Sequence, residues 1–205
     1  MNFRTLLRLA NLLTLLRLFL VPPLMLCFRA NLMLPALLIF GFAAATDHLD
    51  GKIARRQGVT GFGTFMDPLA DKLLVAAALI CLTRFEGVEG GLVPAWMVVT
   101  IIGREFIVTG LRVVFVTRYG EVVSANRWGK YKTLSQLIVL LISLALLAFW
   151  GDVAMIVHPR GPIYFMMYLP LVLTVVSGLE FLLRNRKFLT DLMQTTDGDD
   201  SGVDE

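Results

Sequence analysis

The chain has 205 residues, 57% of them hydrophobic and only 17% charged, and its mean hydropathy is +0.73. That balance excludes a disordered protein, two cysteines exclude a disulfide scaffold, and a water-soluble fold of this size has too little interior to hide so much apolar sequence. The net charge of +3 and a pI near 9.1 do not point to nucleic acid as a partner, because the bases have no aromatic-interleaved surface domain to sit on; an all-α integral membrane protein in a lipid bilayer is the reading that survives.

A membrane span needs roughly 20 mostly apolar residues. Six candidates follow along the chain: Leu9 to Phe28, Leu32 to Thr46, Phe65 to Leu82, Leu92 to Leu111, Leu134 to Trp150 and Pro162 to Leu183. The first holds Pro22 and Pro23, which kink a membrane helix without having to break it. Its basic start at Arg4 and Arg8 resembles a signal peptide, but Arg17 lies inside the run and no small-residue cleavage site follows, so it reads as an uncleaved span. The second apolar run is short, but a helical pattern continues through Leu49, Ile53 and Ala54. Breakers separate the spans: Arg29-Ala30-Asn31, Gly58 to Gly63, Glu86 to Gly91, Tyr119-Gly120 and Pro159 to Pro162. Residues 1 to 187 form one membrane domain, and 188 to 205 read as an acidic, disordered tail.

With six spans both termini share a side. Of the 19 Lys and Arg residues, 15 fall on that side: near the N-terminus, between Lys52 and Lys72, between Arg112 and Lys132, and from Arg184 to Lys187. The opposite side keeps Arg29, Arg84 and Arg160, and Arg104 lies within the fourth span. Cytoplasmic loops are enriched in Lys and Arg, so both termini are expected in the cytoplasm.

Charge at membrane depth is costly and usually functional. Asp47 and Asp50 are three residues apart, and Asp67 and Asp71 are four apart. On helices each spacing puts the pair on one face, where like charges repel. Four such carboxylates are held together cheaply by divalent metal, whose hard charge prefers oxygen ligands. Paired ions of that kind suit phosphoryl chemistry. Gly51 and Ala54 keep the flank of the first pair bare, and Arg55 offers a planar fork to a diphosphate. The competing structural readings are that Asp47 and Asp50 are solvated residues at a span end, and that Asp67 before Pro68 is a helix N-cap.

The run Asp47-x-x-Asp50-Gly51-x-x-Ala54-Arg55, followed by Gly63-x-x-x-Asp67-x-x-x-Asp71, resembles the signature of the CDP-alcohol phosphatidyltransferases. The interval from Arg55 to Gly63 is one residue shorter than that family's usual spacing, which implies a shorter connection. The resemblance implies two Mg2+ or Mn2+ ions on Asp47, Asp50, Asp67 and Asp71, and a CDP-lipid bordered by Gly51, Ala54, Arg55 and Gly63. Asp71 would act as the general base toward the acceptor alcohol, and the active site would lie in a polar cavity on the cytoplasmic side of the cell membrane. The family also implies a homodimer.

The second half bears on the acceptor. Gly103-Arg104-Glu105-Phe106 lies in the fourth span, with Arg112 beyond it, and Lys130 and Lys132 open the fifth. Adjacent residues on a helix point apart, so Arg104 and Glu105 are not expected to pair, and an intramembrane Arg should then face a polar cavity. Arg104, Arg112, Lys130 and Lys132 are candidates to hold an acceptor phosphate, against a plainer reading as snorkelling, inside-positive bases. The stretch from Arg104 to Thr133, with Asn11-Leu12-x-Thr14-x-x-Arg17, resembles the phosphatidylglycerophosphate synthase branch of the family. That branch implies CDP-diacylglycerol and glycerol 3-phosphate as substrates, with Asn11, Thr14 and Arg17 close to the site. The alternatives are a family member using phosphatidylglycerol, an inositol phosphate or serine, and, from another class, a divalent-cation transporter. Trp96, Trp128, Trp150 and Tyr164 read as interfacial anchors, and Cys27 and Cys81 as reduced packing residues.

Overall fold

The computed structural model describes residues 9–57, 61–85, 88–119, 127–150 and 155–186. Among these the protein is all-helical: α1 (Leu9–Arg29), α2 (Met33–Gln57), α3 (Gly61–Thr83), α4 (Ala95–Tyr119), α5 (Arg127–Trp150), α6 (Pro162–Met166) and α7 (Tyr168–Arg184). The expected tail lies outside the described residues.

Helix α1 runs unbroken through Pro22 and Pro23. It closes with a left-handed Asn31 (φ 54°), whose amide donates to the Phe28 carbonyl at 3.1 Å while the Leu32 amide donates to Cys27 at 2.8 Å. That cap spends the last carbonyls of α1 and turns the chain directly into α2. Helices α1 and α2 pack against each other, and so do α1 and α3. The core runs through Leu24, Phe40, Leu79, Met97 and Leu140, all fully buried.

The link from α3 to α4 depends on one glycine. Gly91 has φ +73°, and a Cβ there would stand 2.2 Å from the Thr83 carbonyl oxygen. The close approach lets the Leu92 amide donate to the Leu82 carbonyl at 2.9 Å. Among the described residues, α3 and α4 then pack together, α5 packs on α2 and α7, and α4 packs on α7.

The sixth apolar run is divided at Met167 into α6 and α7. Met167 keeps helical dihedrals (φ −70°, ψ −17°), so the division is in hydrogen bonding. Pro170 has no N–H to give the Met166 carbonyl four residues back. The third helix also differs from expectation: it starts at Gly61, so Gly61 to Gly63 belong to the helix and not to the breaker before it. Asp67 and Pro68 therefore sit inside α3, which removes the N-cap reading of Asp67.

Among the described residues two stretches, Trp128–Trp150 and Pro162–Arg184, are long and apolar enough to cross a membrane, and Met33–Thr46 and Lys72–Thr83 are shorter apolar helices. The outer surface is apolar as well: Phe19 is 74% exposed, Val99 68% and Leu183 70%. Large hydrophobic side chains turned outward over several helices are what a lipid solvent favours and water opposes. Trp96, Trp128 and Trp150 are exposed at helix ends, as interfacial anchors should be. Cys27 and Cys81 are free thiols.

Candidate active site

The fold places the sequence motif on two successive helices. Asp47, Asp50, Gly51, Ala54 and Arg55 lie in the last turns of α2, and Gly63, Asp67 and Asp71 lie in the first half of α3. Only residues 58–60 separate the two helices, so these segments share one end of the bundle. Asn11, Thr14 and Arg17 are on the first half of α1. A short turn joins α1 to α2 and the two helices pack, so they run antiparallel and the start of α1 lies at that same end. The side chains of Asn11, Thr14 and the motif residues from Asp47 to Asp71 lie outside the described residues. Arg17 is described, and at 2% exposure it is among the most deeply buried side chains. As a donor set, four carboxylates on two helices meeting at one end fit a site for hard divalent cations.

Beside this end lies a cluster of charged side chains that belong to the described residues. Glu105, on α4, accepts hydrogen bonds from two cations. One is Arg104, whose Nη1 donates to Glu105 Oε1 at 2.9 Å. The other is Lys132 of α5, whose Nζ pairs with the same oxygen. The expectation that Arg104 and Glu105 do not pair is thus overturned. Their Cα–Cβ bonds diverge, but the long arginine stem bends back far enough to bring its guanidinium onto the neighbouring carboxylate. Lys132 is 1% exposed, and a lysine that deep requires a carboxylate partner.

Arg104 also has a seat on the facing helix. A Cβ placed on Gly178 of α7 would lie 3.1 Å from Arg104 Cγ and 3.4 Å from its Nε. The absence of a side chain at Gly178 makes room for the arginine stem. A cleft of about 330 Å3 runs between α4 and α7 there, lined by Val99, Thr100, Gly103, Arg104, Ile107 and Gly178 among others.

Two further cations complete the cluster. Lys72, next to Asp71 on α3, directs its Nζ onto the Thr109 hydroxyl of α4, and stands within electrostatic reach of Glu105, Arg112 and Arg104. Arg112 lies one turn beyond Thr109 on α4, over the ring of Phe181 at 5.6 Å from guanidinium carbon to ring centre. Its Nε is buried with no hydrogen-bond partner among the described residues. Among the described residues, four cations, Lys72, Arg104, Arg112 and Lys132, therefore surround one carboxylate. A partly buried surplus of positive charge is costly unless an anion joins it.

Of the four bases expected to hold an acceptor phosphate, the structure brings together Arg104, Arg112 and Lys132 and leaves Lys130 exposed, outside the cluster. Reading the sequence missed Lys72, which was counted only as an inside-positive base, and Glu105, which carries the pairing. The signal for both was the same: each is a charge set within an apolar helix beside a motif residue.

Comparison with known proteins gives the family. The family model for CDP-alcohol phosphatidyltransferases matches residues 7–181. The chain is 46% identical over 149 residues to the CDP-diacylglycerol–glycerol-3-phosphate 3-phosphatidyltransferase of Bacillus subtilis, covering 72% of each protein. It is 36% identical over 194 residues to the probable phosphatidylglycerophosphate synthase of Mycobacterium tuberculosis, covering 91% of this chain and 86% of that one. Against the Rickettsia felis enzyme, named like that of Bacillus, identity is 33% over 184 residues, or 88% of this chain and 96% of the relative. An all-helical bundle with the eight motif positions on two successive helices and a family match over most of its length identify the chain as a member of the CDP-alcohol phosphatidyltransferase family.

Proposed function

We propose that the protein transfers a phosphatidyl group from CDP-diacylglycerol to glycerol 3-phosphate, giving phosphatidylglycerophosphate and CMP in phospholipid synthesis. The relatives named for this reaction support the donor and acceptor. The observation that carries the acceptor is the partly buried cluster of Lys72, Arg104, Arg112 and Lys132 around Glu105, whose excess positive charge among the described residues suits a phosphorylated alcohol better than an uncharged one.

In this reading Asp47, Asp50, Asp67 and Asp71 hold two divalent ions, Mg2+ or Mn2+. When bound, such ions neutralise charge on phosphate oxygens. Gly51, Ala54, Arg55 and Gly63 border the cytidine diphosphate, with Arg55 gripping a phosphate through its planar fork. Asn11, Thr14 and Arg17 support the same end of the site. Asp71 takes the proton of the acceptor hydroxyl, the freed oxygen attacks the phosphorus that carries the diacylglycerol, and the bond from that phosphorus to CMP breaks. The residues act mainly by positioning both substrates and by neutralising charge.

The enzyme is proposed to cross the cell membrane six times as a homodimer, with both termini and the active site on the cytoplasmic side. Support comes from the 15 of 19 bases that fall on one side and from the outward-facing apolar surface. The deciding experiment is release of CMP by the purified protein from CDP-diacylglycerol, with Mg2+ or Mn2+ and a panel of alcohols. Glycerol 3-phosphate should be the preferred acceptor. Preference for phosphatidylglycerol, an inositol phosphate or serine would move the protein to another branch, and divalent-ion flux through liposomes without CMP release would refute the transferase reading.

A further inference from the structure

We propose that the cleft between α4 and α7 seats one acyl chain of a bilayer phospholipid other than the CDP-diacylglycerol donor. Such a site goes beyond the transfer reaction and takes no part in its chemistry.

The cleft presents carbon, although two of the residues lining it are polar. The Thr100 hydroxyl donates to the Trp96 carbonyl at 2.8 Å, so it is spent on its own helix. Arg104 sends its guanidinium to Glu105 and lays its stem against Gly178. The lining passes from buried Val108 to Val99 and Ile107, which are 68% and 60% exposed, so the cleft opens on the outward apolar surface. From Val99 to Val108 it follows α4 for about 13 Å. An apolar slot of about 330 Å3 offers water too few polar partners. Where it faces lipid, hydrocarbon fills it.

Gly103 points the same way. A glycine inside a helix weakens it relative to alanine, so a steric reason is expected for one. Gly178 has that reason in the Arg104 stem. Gly103 has none among the described residues, where a Cβ would meet nothing within 4 Å. What its bare backbone keeps open is the cleft itself. An acyl chain lying across Gly103 is the neighbour for which a missing side chain matters.

The position of the cleft separates it from the donor. Among the described residues the helices pack in the order α1, α3, α4, α7, α5, α2 and back to α1. The seam between α4 and α7 therefore lies across the bundle from α1 and α2. Its lining comes from α4 and α7, whereas Gly51, Ala54 and Arg55, proposed to border the cytidine diphosphate, are on α2. A chain held in the cleft belongs to a second lipid.

The test is thermal unfolding of purified, delipidated protein in a bile-salt detergent, which has no alkyl chain to enter the cleft. Dioleoyl phosphatidylcholine should raise the wild-type unfolding temperature by about 5 °C or more at saturation. Gly103→Leu fills the slot from within and should lose most of that rise. Without lipid it should melt no lower than the wild type, because leucine favours helix over glycine. Phe19→Leu, at an exposed position of α1, should keep the rise. Native mass spectrometry should find one more phospholipid retained per chain on the wild type than on Gly103→Leu. If Gly103→Leu fails to fold, Leu182→Trp closes the same cleft from α7 and should show the same loss. Equal rises in the wild type and Gly103→Leu, or no rise in either, would overturn the site. A rise that vanishes once CDP-diacylglycerol is saturating would give the cleft to the donor and overturn the second lipid.

Discussion

Lys132 of α5 ends on Glu105 of α4, and this ion pair ties together two helices through a lysine that is 1% exposed. It is a contact between charges removed from solvent, where losing one partner costs far more than the pair contributes when intact.

Glu105→Ala should therefore destabilise the protein by about 3–5 kcal/mol, because Lys132 would stay buried with its charge unanswered. Replacing both residues together, Glu105→Leu with Lys132→Met, should recover most of that loss. Thermal unfolding of the detergent-solubilised variants measures both, and a double variant no more stable than the single one would contradict the pairing.

Gly178 gives a steric prediction. A methyl group there meets Arg104 Cγ at 3.1 Å, and the flexible arginine can give a few tenths of an ångström, so Gly178→Ala should be nearly neutral. Gly178→Leu cannot be absorbed that way and should cost about 1–3 kcal/mol, the range for overpacking. Because it pushes Arg104 away from Glu105, it should also lower the unfolding temperature of the wild type more than it lowers that of Arg104→Met.

Gly91 gives a backbone prediction. With φ +73° and a hypothetical Cβ only 2.2 Å from the Thr83 carbonyl oxygen, Gly91→Ala has to move the chain linking α3 to α4. A cost of about 1–3 kcal/mol follows from the strained conformation alone. Gly90 has a similar φ of +81° but open space around it, so Gly90→Ala should cost less. Comparable melting temperatures for the two variants would argue against the close approach at Gly91.

The proposed base and metal site predict a separation of binding from turnover. Asp71→Asn should reduce CMP release by at least about a hundredfold, the scale of lost acid–base catalysis, while CDP-diacylglycerol still binds. Chelation of divalent ions should abolish wild-type activity, and Mg2+ or Mn2+ should restore it. Full activity of Asp71→Asn would remove that residue from its proposed role.

Much of the fold was legible because punctuation in the sequence marks helix ends: Asn31 after α1, Gly120 after α4 and Pro162 opening α6. The carboxylate pairs were legible through helical spacing, which the structure honours by placing each pair on a single helix. What could not be read was any feature set by side-chain reach. The divergence of neighbouring Cβ atoms says nothing of where a long guanidinium ends, so the Arg104–Glu105 contact was missed. Lys72 was counted only as an inside-positive base because its partner Thr109 is 37 residues away and has no charge to advertise it. Lys130 and Lys132 are two apart on α5 and so face differently, one exposed and one buried, a distinction that depended on where α4 stands.

Helix α1 packs along both α2 and α3, the two helices that carry the motif carboxylates. It is thus a common rail on which the two halves of the motif are aligned, and the loop between them is relieved of that duty. On this arrangement, taking one residue out of the connection between Arg55 and Gly63 does not by itself rotate helices whose packing is fixed elsewhere. A residue inserted into α1 is another matter, since each added residue turns everything beyond it by about 100°, and the two carboxylate pairs would lose their shared reference at once.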